Sequence, residues 1–379
     1  MSSSSAPTEF APWNDPAEAP LIEFHDVTKR FGEFTAIDKL TLDIYEQEFF
    51  ALLGPSGCGK TTMMRMLAGF ETPTSGTIKL AGKDIAHVPP NKRAVNMMFQ
   101  SYALFPHLSI EDNIAFGLKR EGMPKDDIAD RVVEMLRLTR LEKFAHRKPH
   151  QISGGQRQRV ALARSLAKAP KLLLLDEPLG ALDKKLRQDT QFELMDIQEK
   201  TGTTFVIVTH DQEEAMTVAS RVAVMDHGQL MQVATPDKLY EYPENIYVAG
   251  FIGDVNLIQG KAEPKGEGKY LIHWSEGETA LNATTDIEMV NGQDCTVAIR
   301  PEKVTISAER PTDAANAVQG KIIDIAYLGN LSTYYVKLAN GQMVKAQTAN
   351  TRRLSRRTFT WEDDVWLSWT ATAGVVLKG

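Results

Sequence analysis

Between residues 21 and 250, short apolar runs alternate with stretches that have the spacing of helices. Phe49–Leu53, Lys171–Leu175 and Thr204–Val208 are compact apolar runs, and Lys60–Ala68 has the composition of a helix. Short strands buried on both faces and joined by helices are typical of a mostly parallel sheet. This part of the chain therefore predicts an α/β domain at 21–250.

After residue 250 the pattern changes to short runs in which apolar and polar residues alternate. The clearest pair is Tyr334–Leu338 and Met343–Lys345, which flank Asn340-Gly341. Asn-Gly between alternating runs predicts a two-residue β-hairpin turn. We therefore predict a second, all-β domain at 251–379, folded as a small barrel.

Composition limits the classes of function. The chain has 43 Lys and Arg against 49 Asp and Glu, a net charge of −6, which argues against nucleic-acid binding. Residues 1–20 are rich in Ser, Ala and Pro without Lys or Arg, which predicts a disordered tail and no secretory signal. Cys58 and Cys295 are isolated, so neither a disulfide framework nor a zinc site is expected. A reducing cytoplasm fits this cysteine content.

A glycine-rich motif follows the first compact strand and precedes the predicted helix. Its pattern, G-x-x-x-x-G-K-T, is that of a phosphate loop, whose backbone N–H groups surround phosphate oxygens at a helix N-terminus. The lysine is expected to reach the β- and γ-phosphates. The predicted nucleotide-binding residues here are Gly54, Pro55, Ser56, Gly57, Cys58, Gly59, Lys60, Thr61 and Thr62. The fold class predicted is thus an α/β P-loop nucleoside triphosphatase.

Two acidic residues follow another apolar strand. Leu172–Leu175 leads directly into Asp176 and Glu177 at the edge of the sheet where ligands of α/β folds bind. Asp176 is a candidate Mg²⁺ ligand, and Glu177 is placed to act on an attacking water.

A second helix start also has the features of an anion site. Ser153, Gly154, Gly155 and Gln156 precede a helical run, with Ser153 and Gln156 spaced as a capping box. The two glycines leave this helix N-terminus open to an anion. Because one nucleotide does not need two such helix ends from one chain, we expect each chain to supply a different end to its partner.

Five elements occur in order: the phosphate loop, Gln100, the Ser153–Gln156 signature, Asp176-Glu177, and His210. Together they resemble the ATP-binding subunit of an ABC transporter. The resemblance covers about 21–250, including a helical signature subdomain at about 100–165. Residues 251–379 more weakly resemble the OB-like, transport-associated regulatory domain of such subunits.

The resemblance implies a role for each matching residue. Phe31 would stack on adenine, and Gln100 would touch Mg²⁺ or the attacking water. Glu177 would be the catalytic base, and His210 would contact both the γ-phosphate and Glu177. Asp183, at the end of Gly180-Ala181-Leu182-Asp183, would pass information across the dimer. The implied cofactors are ATP and Mg²⁺, with the metal held by Thr61, Gln100 and Asp176.

The family's assembly follows from the same resemblance. Two ATPase subunits would form a homodimer, with Ser153, Gly154, Gly155 and Gln156 binding the partner's ATP. Two transmembrane permease subunits would dock on each dimer, and Ser101–His107 resembles the docking segment. A periplasmic polyamine-binding protein would act through the permease. The chain would lie on the cytoplasmic face of the bacterial inner membrane as a peripheral protein.

The transported solute is suggested by resemblance alone. Asn96–Pro106 and Ile325–Ser332 are similar to the ATPases of putrescine and polyamine importers. The alternatives are the same role for a sugar, iron or another solute, a soluble ABC ATPase acting on nucleic acid or ribosomes, or a regulatory module with little turnover. A basic cluster could serve as a contact for anionic lipid or a regulatory anion, or be a solvated loop: Arg352, Arg353, Arg356 and Arg357.

Overall fold

The computed structural model describes residues 10–180, 183–351 and 358–378, apart from the side chain of residue 184. The chain divides into two compact units, residues 1–236 and 237–379, each with its own hydrophobic core. Two predicted features lie outside the described residues: Ala181 and Leu182 of the communication loop, and the basic cluster Arg352, Arg353, Arg356 and Arg357.

The first unit contains ten strands and most of the helices in the described ranges. The strands are β1 Ile22–Phe31, β2 Phe34–Ile44, β3 Phe49–Leu53, β4 Ser75–Leu80, β5 Lys83–Asp84, β6 Val95–Met98, β7 Leu172–Asp176, β8 Thr204–Thr209, β9 Arg221–Asp226 and β10 Gln229–Ala234. The helices of the chain are α1 Lys60–Ala68, α2 Ile110–Glu121, α3 Lys125–Leu138, α4 Gly154–Ala167, α5 Lys184–Thr201, α6 Gln212–Val218, α7 Pro236–Glu241 and α8 Ile246–Phe251.

A six-stranded sheet forms the centre of this unit, with the strand order β10-β9-β3-β8-β7-β6. The pairs β9/β3, β3/β8, β8/β7 and β7/β6 are parallel, and only β10 joins in the antiparallel direction. Every residue of β3 and β8 is buried, as expected for strands covered on both faces. The predicted α/β domain is confirmed.

A separate antiparallel sheet, ordered β2-β1-β4-β5, stands beside it. The short alternating runs Ile22–Phe24 and Leu40–Ile44 predict two short strands here, whereas the structure has the longer strands β1 and β2, joined in a hairpin in which Phe31 pairs with Phe34. Phe24 of this sheet lies in the same core as Met63 and Met64 of α1. The burial of one face by α1 explains why these runs alternate while β3 does not.

Three helices of the first unit form a packed group. α2, α3 and α4 pack against one another, within and just beyond the predicted signature subdomain at about 100–165. α1 spans the predicted residues Lys60–Ala68 and ends at Gly69, whose φ of 86° and N–H bonds to Arg65 and Met66 carbonyls form a left-handed C-cap.

The second unit contains the remaining strands. They are β11 Asn256–Gly266, β12 Lys269–His273, β13 Leu281–Thr284, β14 Gln293–Ile299, β15 Thr305–Ser307, β16 Asn316–Tyr327, β17 Leu331–Leu338, β18 Met343–Ala349, β19 Asp364–Trp369 and β20 Gly374–Lys378. They form two five-stranded antiparallel sheets, β13-β12-β11-β14-β20 and β15-β19-β16-β17-β18. Side chains of both sheets share one core, which confirms the all-β fold class.

The predicted hairpin around Asn340 and Gly341 is present, but its loop is longer than predicted. β17 ends at Leu338 and β18 begins at Met343, so the two-residue turn was wrong. The N–H of Gln342 donates to Asn340 Oδ1 over 3.0 Å, and Gly341 has a φ of 86°. The side-chain bond of Asn340 closes a wider loop than the dipeptide alone suggests.

A buried arginine attaches the two short helices α7 and α8 to the second unit. Arg300 is 4% exposed and donates to the carbonyls of Ala249 over 3.0 Å and Tyr240 over 3.1 Å. Tyr240 also donates from its hydroxyl to Glu302 over 2.7 Å. α7 precedes the predicted boundary between 250 and 251 and α8 ends at Phe251, just past it; the boundary stays a prediction.

The N-terminal segment is partly defined. Residues 10–20 of the predicted tail are described, and Pro12–Asn14 form one turn of 3₁₀ helix. The guanidinium of Arg221 lies 4.7 Å from the ring of Trp13. No helix in the described part of the chain combines the length and apolar character needed to cross a membrane.

Candidate active site

The phosphate loop connects β3 to α1, as the motif predicts. Gly59 has a φ of 109°, in the left-handed region, immediately before the first residue of α1. A Cβ at Gly54 would lie 2.4 Å from the carbonyl oxygen of Met225 in β9. Only glycine therefore fits at Gly54 without movement of the backbone.

Lys60 lies inside the loop that it follows. Its ammonium donates to the carbonyl oxygens of Gly54 over 2.7 Å and Pro55 over 2.9 Å, and the residue is only 6% exposed. The positive charge is thus held at the centre of the loop, at the start of α1, where the helix dipole also favours an anion.

Asp176 and Glu177 stand at the carboxyl end of β7. Glu177 has a φ of 43°, which is uncommon for a residue with a side chain, and its N–H donates to the carbonyl of Val208 over 2.9 Å. Such a conformation costs on the order of 1 kcal/mol and persists where neighbouring structure enforces it. The backbone therefore leaves the extended conformation of β7 at Glu177, directly after Asp176.

Three predicted residues meet at the carboxylate of Glu177. Gln100 donates from Nε2 to Glu177 Oε2 over 3.3 Å, and His210 Nδ1 lies 3.0 Å from Glu177 Oε1. Because an ionised carboxylate only accepts, Nδ1 is the donor in this pair. The two oxygens of one carboxylate therefore hold side chains from two separate loops.

The loop that carries Gln100 is attached to the signature helix. Tyr102 and Ala103 have φ values of 60° and 46°, and Arg164 of α4 donates to their carbonyls over 2.9 and 2.8 Å. Burial lowers the pKa of Arg164 from its usual value. The guanidinium fixes two strained residues shortly after Gln100.

The signature residues form the predicted capping box. The N–H of Gln156 donates to Ser153 Oγ over 3.3 Å, and the N–H of Ser153 donates to Gln156 Oε1 over 2.9 Å. A Cβ on Gly154 or Gly155 would meet no atom closer than 3.7 Å. Among the described residues, these hydrogen bonds stay within the start of α4, and none reaches the phosphate loop.

The two remaining predicted residues lie at element ends. Phe31 closes β1 and is 46% exposed, with the ammonium of Lys29 4.7 Å from its ring. Asp183 is the N-cap of α5, accepting from the N–H of Leu186 over 3.0 Å. The structure thus brings Gln100, Glu177 and His210 together, and no hydrogen bond in the described ranges joins the signature to them, while the roles of all these residues stay predictions.

The residues present suit a divalent cation at Asp176. Burial, and then the Glu177 carboxylate, raise the pKa of Asp176 above its usual value. Within the described ranges its carboxylate has no hydrogen bond or ion pair. A nearby cation would favour its ionised form. No group of three or more His, Cys, Asp or Glu in the described residues is arranged for a metal, as is common for Mg²⁺ sites completed by substrate phosphates.

The residues on either side of His210 belong to a hydrogen-bond network that the sequence analysis missed. The Glu214 carboxylate accepts from the hydroxyl of Thr209, which in turn accepts from the N–H of Asp211 over 3.0 Å. The Asp211 carboxylate accepts from the N–H of Glu214 over 3.1 Å and from Arg187 Nη1 over 2.5 Å. The Asp211-x-x-Glu214 spacing is a capping signal, but nothing local in the sequence indicates Arg187 as the partner.

Comparisons with known proteins now decide the family. The model of the ABC transporter family matches residues 37–180, and that of the TOBE domain matches residues 297–377. The putrescine transport ATP-binding protein PotG of Escherichia coli K12 is 52% identical over 361 residues, covering 95% of this chain and 96% of that protein. The spermidine/putrescine import ATP-binding protein PotA of Rubrobacter xylanophilus is 48% identical over 333 residues, 87% of each chain.

This chain belongs to the ABC transporter ATP-binding proteins. The predicted family and fold class are confirmed, and the protein is an ATPase whose first unit binds ATP.

Solved structures agree with this assignment. The dimeric post-hydrolysis structure of the ATP-binding cassette MJ0796, bound to ADP and Pi, matches with a TM-score of 0.50 at 31% identity, covering 57% of this chain and 98% of that one. CbiO1 of Clostridium perfringens, part of the ABC transporter complex cbiONQ, matches with a TM-score of 0.55 at 27% identity, covering 59% and 91%.

Glu214 makes the stability of the first unit depend on pH. Burial, with a smaller effect of the Asp211 carboxylate, raises the pKa of Glu214 from 4.5 to about 7. Because the pKa of Glu214 is higher in the folded state, protonation of its carboxylate stabilises that state. This contribution is fully present below pH 4.5 and is lost as the pH rises through about 7. Since glutamine does not titrate, Glu214→Gln should lessen that loss by about 2–3 kcal/mol.

The measurement is the free energy of unfolding by denaturant at several pH values between about 5 and 8. The exposed neighbour Glu213 provides the control, since Glu213→Gln should leave the pH dependence unchanged. Identical pH dependence in Glu214→Gln and the unmodified protein would contradict the assignment.

Proposed function

We propose that this ATPase energises the import of polyamines, putrescine and spermidine, through a binding-protein-dependent ABC transporter. The observation that supports it most directly is the 52% identity over 95% of the chain to a protein named for putrescine transport. The relatives named for spermidine and putrescine import support the same solute class. The proposed solute class therefore rests on relatedness and not on any residue of this chain.

ATP would be hydrolysed next to Glu177 and the two residues that contact it, Gln100 and His210. The β- and γ-phosphates of ATP would bind the phosphate loop and Lys60, and Phe31 would stack on the adenine. Thr61, Gln100 and Asp176 would hold Mg²⁺, which neutralises phosphate charge when bound. Glu177 would take a proton from water as the water attacks the γ-phosphorus, and the bond to the β-phosphate oxygen would break to give ADP and phosphate.

His210 and Gln100 would place the base. Each donates to one oxygen of Glu177 in the structure. With a proton on each ring nitrogen, His210 would donate from Nδ1 to the carboxylate and from Nε2 to the γ-phosphate. The carboxylate would thus be oriented by one residue that touches the phosphate and another next to the metal.

The proposed assembly is a homodimer with shared nucleotides. Ser153, Gly154, Gly155 and Gln156 form an open helix start, whose hydrogen bonds among the described residues stay within α4, and would close the partner's site. Asp183 would pass information between the two sites. Two transmembrane permease subunits would bind the dimer, a periplasmic polyamine-binding protein would deliver solute, and the chain would lie on the cytoplasmic face of the inner membrane.

Lys60→Ala should weaken ATP binding by about a hundredfold, because a charge-assisted contact to the phosphates is lost. Equilibrium binding of a fluorescent ATP analogue measures the affinity. Lys171→Ala, an exposed lysine at the opposite end of β7, is the matched control and should bind as the unmodified protein does. Unchanged affinity in Lys60→Ala would count against the phosphate-loop assignment.

Glu177→Gln should lower kcat by at least about a hundredfold while ATP still binds, because an amide cannot accept the proton of the attacking water. The variant should then accumulate as an ATP-bound dimer, detected by light scattering after size-exclusion chromatography with ATP. A monomer that hydrolyses ATP at the normal rate would refute the assignment of the base.

Uptake of radiolabelled putrescine by cells carrying the chain with its copurifying membrane subunits tests the solute. Unlabelled putrescine and spermidine should compete, whereas a sugar or an iron complex should not. Competition by sugar without competition by polyamine would replace the proposed solute and support the alternative transport role.

A further inference from the structure

Helix α5 contacts both the signature helix α4 and the loop that carries His210. Its first turn lies beside the signature helix α4, where Leu186 Cδ1 is 3.7 Å from the Cβ position of Gly155. Two turns further on, Arg159 of α4 donates from Nε to Glu193 of α5 over 2.9 Å, and a second bond joins the same two side chains. This bidentate pair fixes α5 to α4.

The other side of α5 is attached to the loop of His210. Arg187 donates to the carboxylate of Asp211 over 2.5 Å, with side-chain exposures of 31% and 26%. Asp211 follows His210 directly and caps α6 by accepting from the N–H of Glu214. A movement of α5 therefore acts on the backbone next to His210 through a half-buried ion pair that solvent screens only in part.

His210 in turn contacts Glu177 over 3.0 Å. The opposite oxygen of Glu177 is held by Gln100, whose loop Arg164 ties to the same helix α4. Both side chains that hold the carboxylate thus depend on elements attached to the signature helix. The loop of Gln100 is attached to α4 directly, and the loop of His210 is attached to α5 by the pair of Arg187 and Asp211.

We propose that Arg187 is a positioning residue for ATP hydrolysis, which through its ion pair with Asp211 makes the contact of His210 with Glu177 depend on where the signature helix places α5. The inference rests on the proposed function, in which the signature helix contacts the partner's nucleotide. Its consequence is that nucleotide bound in one site of the dimer adjusts the base of the other site.

Three variants separate positioning from folding. Asp211→Asn removes the charge but keeps a side chain that caps α6, since asparagine is as good an N-cap as aspartate. Arg187→Met keeps the aliphatic part of the side chain and removes the charge. Arg187→Lys keeps the charge with less of the geometry. Asp196→Asn, which breaks an exposed pair with Lys200 on the same helix, is the matched control.

The experiment measures kcat, KM for ATP and Tm for the purified full chain and its variants. Arg187→Met and Asp211→Asn should each lower kcat by about tenfold, with KM for ATP changed by less than about twofold. The double variant should lose less than the product of the two single losses, because both substitutions break the same ion pair. Arg187→Lys should recover part of kcat, and Asp196→Asn should match the unmodified protein.

Other results overturn the inference. A normal kcat in either single variant, or a double variant whose loss is the product of the single losses, would show that the pair does not position His210. A fall in kcat matched by a loss of ATP affinity and of Tm would show a general structural role. Absence of ATPase activity in the unmodified protein would instead contradict the proposed function, and the inference with it.

Discussion

The candidate site depends on one constraint, the fixed position of the Glu177 carboxylate. It follows β7 in a left-handed conformation, which a glutamate adopts only when its surroundings enforce it. Each of its oxygens is held by a side chain from a different loop, Gln100 on one and His210 on the other. Neither loop is held in place only by its own strand, since Arg164 anchors the first and Arg187 the second. Helices outside the sheet therefore help to set the geometry of the Glu177 carboxylate.

Local features of the site could be predicted from the sequence because their physics is local. The phosphate loop and the capping box of Ser153 and Gln156 each use residues within a few positions, and both have the predicted form. Burial on both faces likewise leaves a direct mark on composition, which is why the parallel strands were predictable.

What the sequence did not predict depends on residues far apart in the chain. Arg187 and Asp211 are separated by 24 positions, and Arg164 and Tyr102 by 62, so no spacing rule indicates them. The antiparallel sheet of β1 and β2 was missed because its pairing with β4 is set by the core that it shares with α1. The predicted length of the loop at Asn340 was wrong because a side-chain hydrogen bond, and not the Asn-Gly dipeptide alone, sets that length.

The second unit contains none of the predicted nucleotide-site residues. All the predicted nucleotide-site residues fall within residues 1–236, whereas the second unit has its own core and holds α7 and α8 through Arg300. Its match to the TOBE domain at residues 297–377 covers the whole of the sheet β15-β19-β16-β17-β18, but only the end of β14 and nearly all of β20 in the other sheet. The predicted nucleotide-site residues and the TOBE match therefore fall in different units of the chain.

The central claim is that each nucleotide is enclosed by two copies of this chain. The most direct measurement is a crystal or cryo-EM structure of the Glu177→Gln variant with ATP and Mg²⁺. The account predicts two ATP molecules at a two-fold interface, each between the phosphate loop of one copy and Ser153–Gln156 of the other. A structure in which a single chain surrounds its ATP on all sides, with the partner's signature far away, would contradict it.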